Sequence, residues 1–220
     1  MRDLAILEKR TGATHDGLEH SELISPQTVA SDDMPFVLDL PHSNQDARHL
    51  FGRKMPISVD ALAWLPTGDA LPIPWSEAYA ERFRLNVRDH VAWRPPADES
   101  ADAPDIVKQV SFLHASTGTD QETFRDHYRR HVELARRHMP ALWQYIQNDV
   151  EAAKGDATQA VGVVAVSELW FRTTDDFLNR YFPSEADQQE FSAQEGFLDL
   201  TQATSFICSS HRLLPSEYDR

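Results

Sequence analysis

The stretch FRDHYRRHVELARRHMP, residues 124–140, puts three histidines and five arginines into seventeen residues of a chain whose formal charge is −14. Three chemistries compete for it: a metal or haem site, an anion clamp, or an imidazole working as acid or base. Helical geometry begins to separate them. At about 100° per residue, Tyr128 and Ala135 fall within about 40° of Phe124 on one side, and His131 within about 20° on the other. His138 and His127 follow on the His131 side at about 40° and 60°, so the histidines edge an apolar stripe. Arg125, Arg129, Arg136 and Arg137 lie on the opposite side. They read as a solvated face pairing with carboxylates rather than as an anion clamp.

His127 and His131 are four apart, a spacing that can bring two imidazoles onto one metal. No Glu follows the first His as in HExxH, Glu133 points elsewhere, and the single Cys208 adds nothing, so the reading is no metal. His131 can serve as acid or base near neutral pH; the bland alternative is a core histidine bonded to backbone or to Tyr128. In VKQVSFLHA, His114 shares a face with Lys108, Val110 and Phe112. In VVAVSELWF, Glu168 and Trp170 share a face with Val164 and Val166, and Ser167 lies on the other. A carboxylate in so apolar a strand is costly unless paired. Glu168 is thus a base with a raised pKa, an orienter of histidine, or the partner of a helix arginine.

These side chains need a scaffold, and its elements are legible in the second half. Residues 106–115 predict a strand, and residues 120–138 a helix with Asp120 in its first turn and Pro140 at its end. Residues 142–150 predict extended chain and residues 151–160 a loop. Residues 161–171 predict a strand, TTDDFLNRYF a helix capped by Thr173 or Thr174, and residues 203–214 a last strand. The order is β-α-β-β-α-β, the ferredoxin-like arrangement of an α+β fold. Earlier, residues 1–33 read as a polar N-terminal arm, and residues 34–96 as an α+β region. That region holds an extended FVLDL run, a helix in SNQDARHLFG, a strand over 57–65, a helix from Ser76 through WSEAYAERFRLNV, and a strand closed by prolines. Residues 97–105, ADESADAPD, read as a linker to the domain at 106–220. The echo between VDALAWLPTG…WSEAYAERFR and VKQVSFLHASTG…DQETFRDHYR suggests a degenerate repeat, as does chance.

Composition narrows the partners. With 35 acidic against 21 basic residues, binding to nucleic acid or an anionic membrane is disfavoured. One cysteine excludes an internal disulfide, and the first residues form neither a signal nor a transit peptide, so a cytoplasmic protein is expected. No Gly-rich phosphate loop, GxSxG elbow or CxxC pair is present, which removes nucleotide-dependent and α/β-hydrolase chemistry.

Residues TFRDHYRRHVELARRHMP, then YIQNDV, then VSELWF resemble the EthD-domain family of the dimeric α+β barrel superfamily. The family's aromatic–aromatic–histidine helix pattern falls on Phe124, Tyr128 and His131. Its strand Tyr and Asn fall on Tyr145 and Asn148, and its acidic-aliphatic-aromatic run on Glu168, Leu169 and Trp170. The resemblance covers about residues 108–214. It implies a sheet with helices on one face, paired with a second sheet to close a barrel. That sheet usually comes from another subunit, making a homodimer, or else from a repeat in the same chain.

The resemblance further implies a lyase working without metal or organic cofactor, by dehydration, decarboxylation, retro-aldol cleavage or cyclisation of a small aromatic or polycyclic molecule. His131 would be the acid or base, with His114 or Glu168 assisting. Tyr145 or Asn148 would hold the oxyanion, and being three apart in a strand they face opposite sides. Trp170, Tyr128, Phe112 and His127 would line the substrate. Superfamily monooxygenases and haem enzymes are the alternative class, and a non-catalytic binding protein of a pathway is the third.

Overall fold

The computed structural model describes residues 1–11, 21–23, 36–41, 59–94, 106–155 and 162–213. Nine strands form one sheet: β1 (Arg2–Lys9), β2 (Ser21–Leu23), β3 (Val37–Pro41), β4 (Ala61–Pro66), β5 (Tyr79–Trp93), β6 (Val107–His114), β7 (Leu142–Gly155), β8 (Val163–Phe171) and β9 (Thr204–Leu213). Their order is β2-β9-β3-β4-β1-β5-β7-β8-β6, and β9 also pairs with β6, so the sheet closes on itself as an antiparallel barrel. A closed sheet leaves no unpaired edge among its barrel strands. The second sheet expected from another subunit or from the first half comes from the first half of this chain.

Four described helices pack outside: α1 (Ile73–Ala78), α2 (Gln121–His138), α3 (Thr174–Asn179) and α4 (Glu185–Ala193). The caps are local chemistry. Asp120 accepts from the Thr123 amide at 2.8 Å, Thr173 from Asp176, and Ser184 from Asp187, each satisfying an orphan N–H of a first turn. Arg136, Arg137 and His138 lie in the last turn of α2, where the helix dipole favours positive charge.

Strand alternation sorts the core into layers. Val110, Phe112, Val166, Trp170, Phe206, Leu4, Ile6, Leu62 and Trp64 fill the barrel interior. Val107, Leu113, Ala165, Leu169 and Phe171 face outward and pack against Phe124, Tyr128 and Phe177 of the helices. On the other side, Trp75 and Ala78 of α1 cover Ala5, Leu7, Ala61 and Ala63.

Three expectations change. Residues 2–9, taken with the N-terminal arm, form β1 in the middle of the first half, paired with both β4 and β5. The helix expected from Ser76 is instead the end of α1, and Tyr79 begins the fifteen-residue β5. Phe83, Leu85 and Val87, two apart and fully buried, bind that segment into the barrel with a force that Ala and Glu propensity does not match. Residues 151–155, expected in a loop, extend β7 to Gly155, whose φ of 91° closes it against Arg82 and Phe83 of β5. The proposed helix over 43–52 and the linker 97–105 lie outside the described residues.

Candidate active site

The second-half strands look onto two separate spaces, one inside the barrel and one between the sheet and α2–α4. The outer space is a cavity of about 410 Å³. From α2 it receives Tyr128, His131, Ala135 and Met139, spaced three, four and four apart on one face, and from β7 it receives Tyr145. Gln109 and Ser111 of β6, Ser167 of β8 and Ser205 of β9 form its sheet side. The α3–α4 segment roofs it with Tyr181, Phe182, Phe191 and Glu195. His138 holds that roof to α2, with its Nδ1 2.9 Å from an Asp187 oxygen of α4.

His131 is buried and meets the edges of Phe191 at 4.6 Å and Phe197 at 5.6 Å between ring centroids. Among the described residues neither of its nitrogens has a hydrogen-bond partner. The structural alternative, an imidazole bonded to backbone or Tyr128, is therefore absent there. Burial pushes its pKa down to about 4. At neutral pH this is a neutral imidazole in an apolar wall, able to accept or donate one hydrogen bond.

Tyr145 carries a hydroxyl whose oxygen is already engaged as an acceptor. Arg129 donates to Gln147 Oε1 at 2.7 Å, which fixes the amide so that its Nε2 donates to the Tyr145 hydroxyl at 3.2 Å and to the Tyr128 carbonyl. With its oxygen already accepting, the Tyr145 O–H points its hydrogen toward the cavity or toward the neighbouring Tyr128 hydroxyl. Burial pushes Tyr145 up to about 12, and Tyr128 well above the ordinary tyrosine value, so both are donors at neutral pH. Arg129, read as part of the solvated face, is thus half-buried between Gln147 and Asp149. The other arginines do pair outward, Arg125 with Glu151 at 3.2 Å and Arg137 with Glu190 at 3.9 Å.

Glu168, Asn148, Trp170 and Phe112 lie on the opposite face of the sheet, inside the barrel. There Lys108 reaches Asp39 at 2.5 Å and Glu168 at 2.8 Å, and stands over the rings of Trp64 and Trp170. Arg2 binds Glu168 and Asn148, while Trp64 and Ser210 both donate to Asp39. Two carboxylates and two cations neutralise one another in a space where one unpaired charge would be very costly. Burial alone would raise Glu168, but Arg2 and Lys108 outweigh it and hold the carboxylate below its usual range. Glu168 is therefore no raised-pKa base, and its partners are barrel cations rather than a helix arginine. Neither it nor Asn148 reaches His131 across the sheet.

The remaining candidates sit at the margins. His114 is half-buried at the end of β6 beside Gly162 and Asp199, outside the cavity lining. His127 is exposed and stacks on Phe197 at 5.6 Å. Gln109, Ser111, Ser167, Ser205 and Gln147 were not anticipated. Their signal was available, since polar residues at alternate positions of otherwise apolar strands mark one face. Among the described residues no group of three or more His, Cys, Asp and Glu could hold a metal ion, and no helix is long and apolar enough to cross a membrane. Haem fits poorly, because none of the described lining residues is a Lys or Arg to meet its propionates, while Glu195 would repel them.

Residues 116–201 match the family model of the EthD domain. No curated protein matches the chain. Among solved structures, a "putative monooxygenase" of Lactobacillus acidophilus superposes with a TM-score of 0.54 and 5% identity, over 95% of this chain and 92% of its own. Another so described, from Fusobacterium nucleatum, gives 0.49 and 6% identity over 96% and 92%. At such identity the first likeness speaks for the barrel fold alone.

Proposed function

We propose that this chain is an enzyme that moves a proton on an uncharged ring compound held in the helix-side cavity. The observation that carries this is the pairing of a buried, unbonded His131 with a Tyr145 hydroxyl whose oxygen is already engaged. A base and an oriented donor face one apolar space. His131 takes a proton from carbon beside a ring carbonyl. The electron pair moves onto the carbonyl oxygen, which Tyr145 meets with its O–H. The enolate then expels a hydroxyl group from the next carbon, and that group takes the proton back from His131 and leaves as water. In the free protein His131 is a weak base, but the oxyanion created by its own protonation stabilises the imidazolium in a low-dielectric space. Dehydration, retro-aldol cleavage and cyclisation all fit this pair. Decarboxylation of a free acid fits less well, since no described lining residue offers a cation.

A second reading draws on the neighbour named for monooxygenase activity: the same carbanion could meet dioxygen, and the hydroperoxide so formed lose water to leave a new carbonyl, the substrate carbon being oxidised and the second oxygen atom leaving as water. Incubating the protein with hydroxylated polycyclic ketones, under nitrogen and under air, separates the two by product mass. Loss of water without oxygen uptake supports the lyase, and oxygen-dependent gain of an oxygen atom supports the oxygenase. Unchanged turnover in both His131→Gln and Tyr145→Phe would overturn the site, and tight binding with no turnover would leave a binding protein.

The reading extends to the fold. Within the first half the barrel strands lie in the order β5-β1-β4-β3, and within the second in the order β9-β6-β8-β7. Both are fourth-first-third-second. This supports a ferredoxin-like arrangement in each half and a degenerate repeat in which β4 corresponds to β8, not to β6 as the sequence echo suggested.

A further inference from the structure

We infer that the sheet side of the cavity is a recognition edge for an uncharged ring ligand carrying a carbonyl and a hydroxyl on the same side. The inference rests on the cavity being the substrate site. β6 turns Gln109 and Ser111 toward the helices, and its register sets Ser111 opposite Ser167 of β8 and Ser205 of β9. Three hydroxyls thus cross three neighbouring strands in one row, at about 4.8 Å per strand. Gln109, Ser111 and Ser167 are buried among Leu113, Leu169 and Tyr128, where a polar side chain is costly unless its bonds are made.

Counting hydrogens shows what that row leaves open. Gln109 Nε2 donates to Ser111 Oγ at 2.9 Å, and Ser111 and Ser205 share a hydrogen bond of 2.8 Å. Whichever serine donates to the other, one hydroxyl hydrogen of the pair remains available. Gln109 Oε1, on a residue 3% exposed, has no hydrogen-bond partner among the described residues, and the Tyr181 hydroxyl meets the same amide. The edge therefore presents one unpartnered acceptor, Gln109 Oε1, beside two hydroxyl donors: the spare hydrogen of the Ser111–Ser205 pair and the Ser167 hydroxyl. A ligand carbonyl answers a serine hydrogen, and a ligand hydroxyl answers Gln109 Oε1.

The test is binding to the full chain, read by titration calorimetry or ligand-observed NMR, so it does not depend on turnover. The probes are meta-hydroxyacetophenone, acetophenone and phenol. The hydroxyketone should bind about tenfold tighter than either single-group probe, the worth of one well-made hydrogen bond to a buried partner. Gln109→Met, and the combined Ser111→Ala, Ser167→Ala and Ser205→Ala variant, each checked for unchanged melting, should erase the hydroxyketone's advantage; His131→Gln should keep it. Equal binding of the three probes, or an advantage that survives both edge variants, overturns the recognition edge. Failure of every probe to bind the unaltered protein overturns the cavity as a ligand site, and the edge with it.

Discussion

Burial is the one influence that sets the His131 pKa, at about 4, and it has two consequences of known sign. The active form is the neutral imidazole, so kcat/KM should stay level from alkaline pH down to about 4 and then fall roughly tenfold per unit. A base with an ordinary histidine pKa would place that limb near 6.5. Stability follows the same proton. The unfolded chain binds it below about 6.5 and the folded chain only near 4, so stability falls as acid crosses that window and levels off below it. The shift corresponds to about 3 kcal/mol. Thermal melts at pH 7 and pH 4.5 should therefore lie closer together for His131→Leu than for the unaltered protein. His131→Gln should lower kcat about a hundredfold or more at unchanged melting temperature. Gln147→Leu is a subtler case, because it touches no substrate. Losing the bond that directs the Tyr145 hydroxyl should lower kcat severalfold while leaving KM close to its original value, and Tyr145→Phe made on top of it should add less than it does alone.

At the scale of elements, α2 was readable because its boundary signals agree: Asp120 caps it, Pro140 lies beyond its end, and the stripe through Phe124, Tyr128 and His131 has helical period. The opposed faces of Tyr145 and Asn148 were readable from alternation. What alternation withholds is which face meets the helices when both faces are buried. Every position of β8 but Val164 is buried on one face or the other of an apolar strand, so Glu168 and Trp170 looked as eligible for the site as Ser167 and Leu169. The deciding fact, that Arg2 and Asp39 of the first half meet Lys108 and Glu168 inside the barrel, depends on closure across the whole chain. Two substitutions separate the faces. Lys108→Met leaves Asp39 and Glu168 buried without their shared cation and should cost about 3–5 kcal/mol in urea unfolding. Glu168→Gln should also lower stability yet leave kcat per folded molecule unchanged; a loss of kcat as large as that of His131→Gln would return Glu168 to the catalytic set.

Across the whole molecule, the seams between the halves are β3 with β9 and β5 with β7. Each seam joins the strand second in one half to the strand fourth in the other, so the two are related as the two interfaces of a symmetric pair would be. The sequence hid this for a physical reason. RDLAILEK has only four consecutive uncharged positions between charged ends, which reads as a fragment of polar arm until β4 and β5 are seen on either side of it. β5 likewise carries arginines and glutamate at its outward positions, a pattern shared with a surface helix. If the halves are repeats, residues 106–220 alone retain the helix-side cavity but expose the edges of β7 and β9. Such edges seek a partner of matching geometry. The fragment should therefore sediment as a two-fold dimer in which β9 of one copy pairs with β7 of the other. It should keep the binding of meta-hydroxyacetophenone, because every described residue lining the cavity lies in this half. A folded, monodisperse monomer of this fragment would sink the repeat, since two unpaired barrel edges would then have proved stable without the counterpart that the pseudo-symmetry supplies.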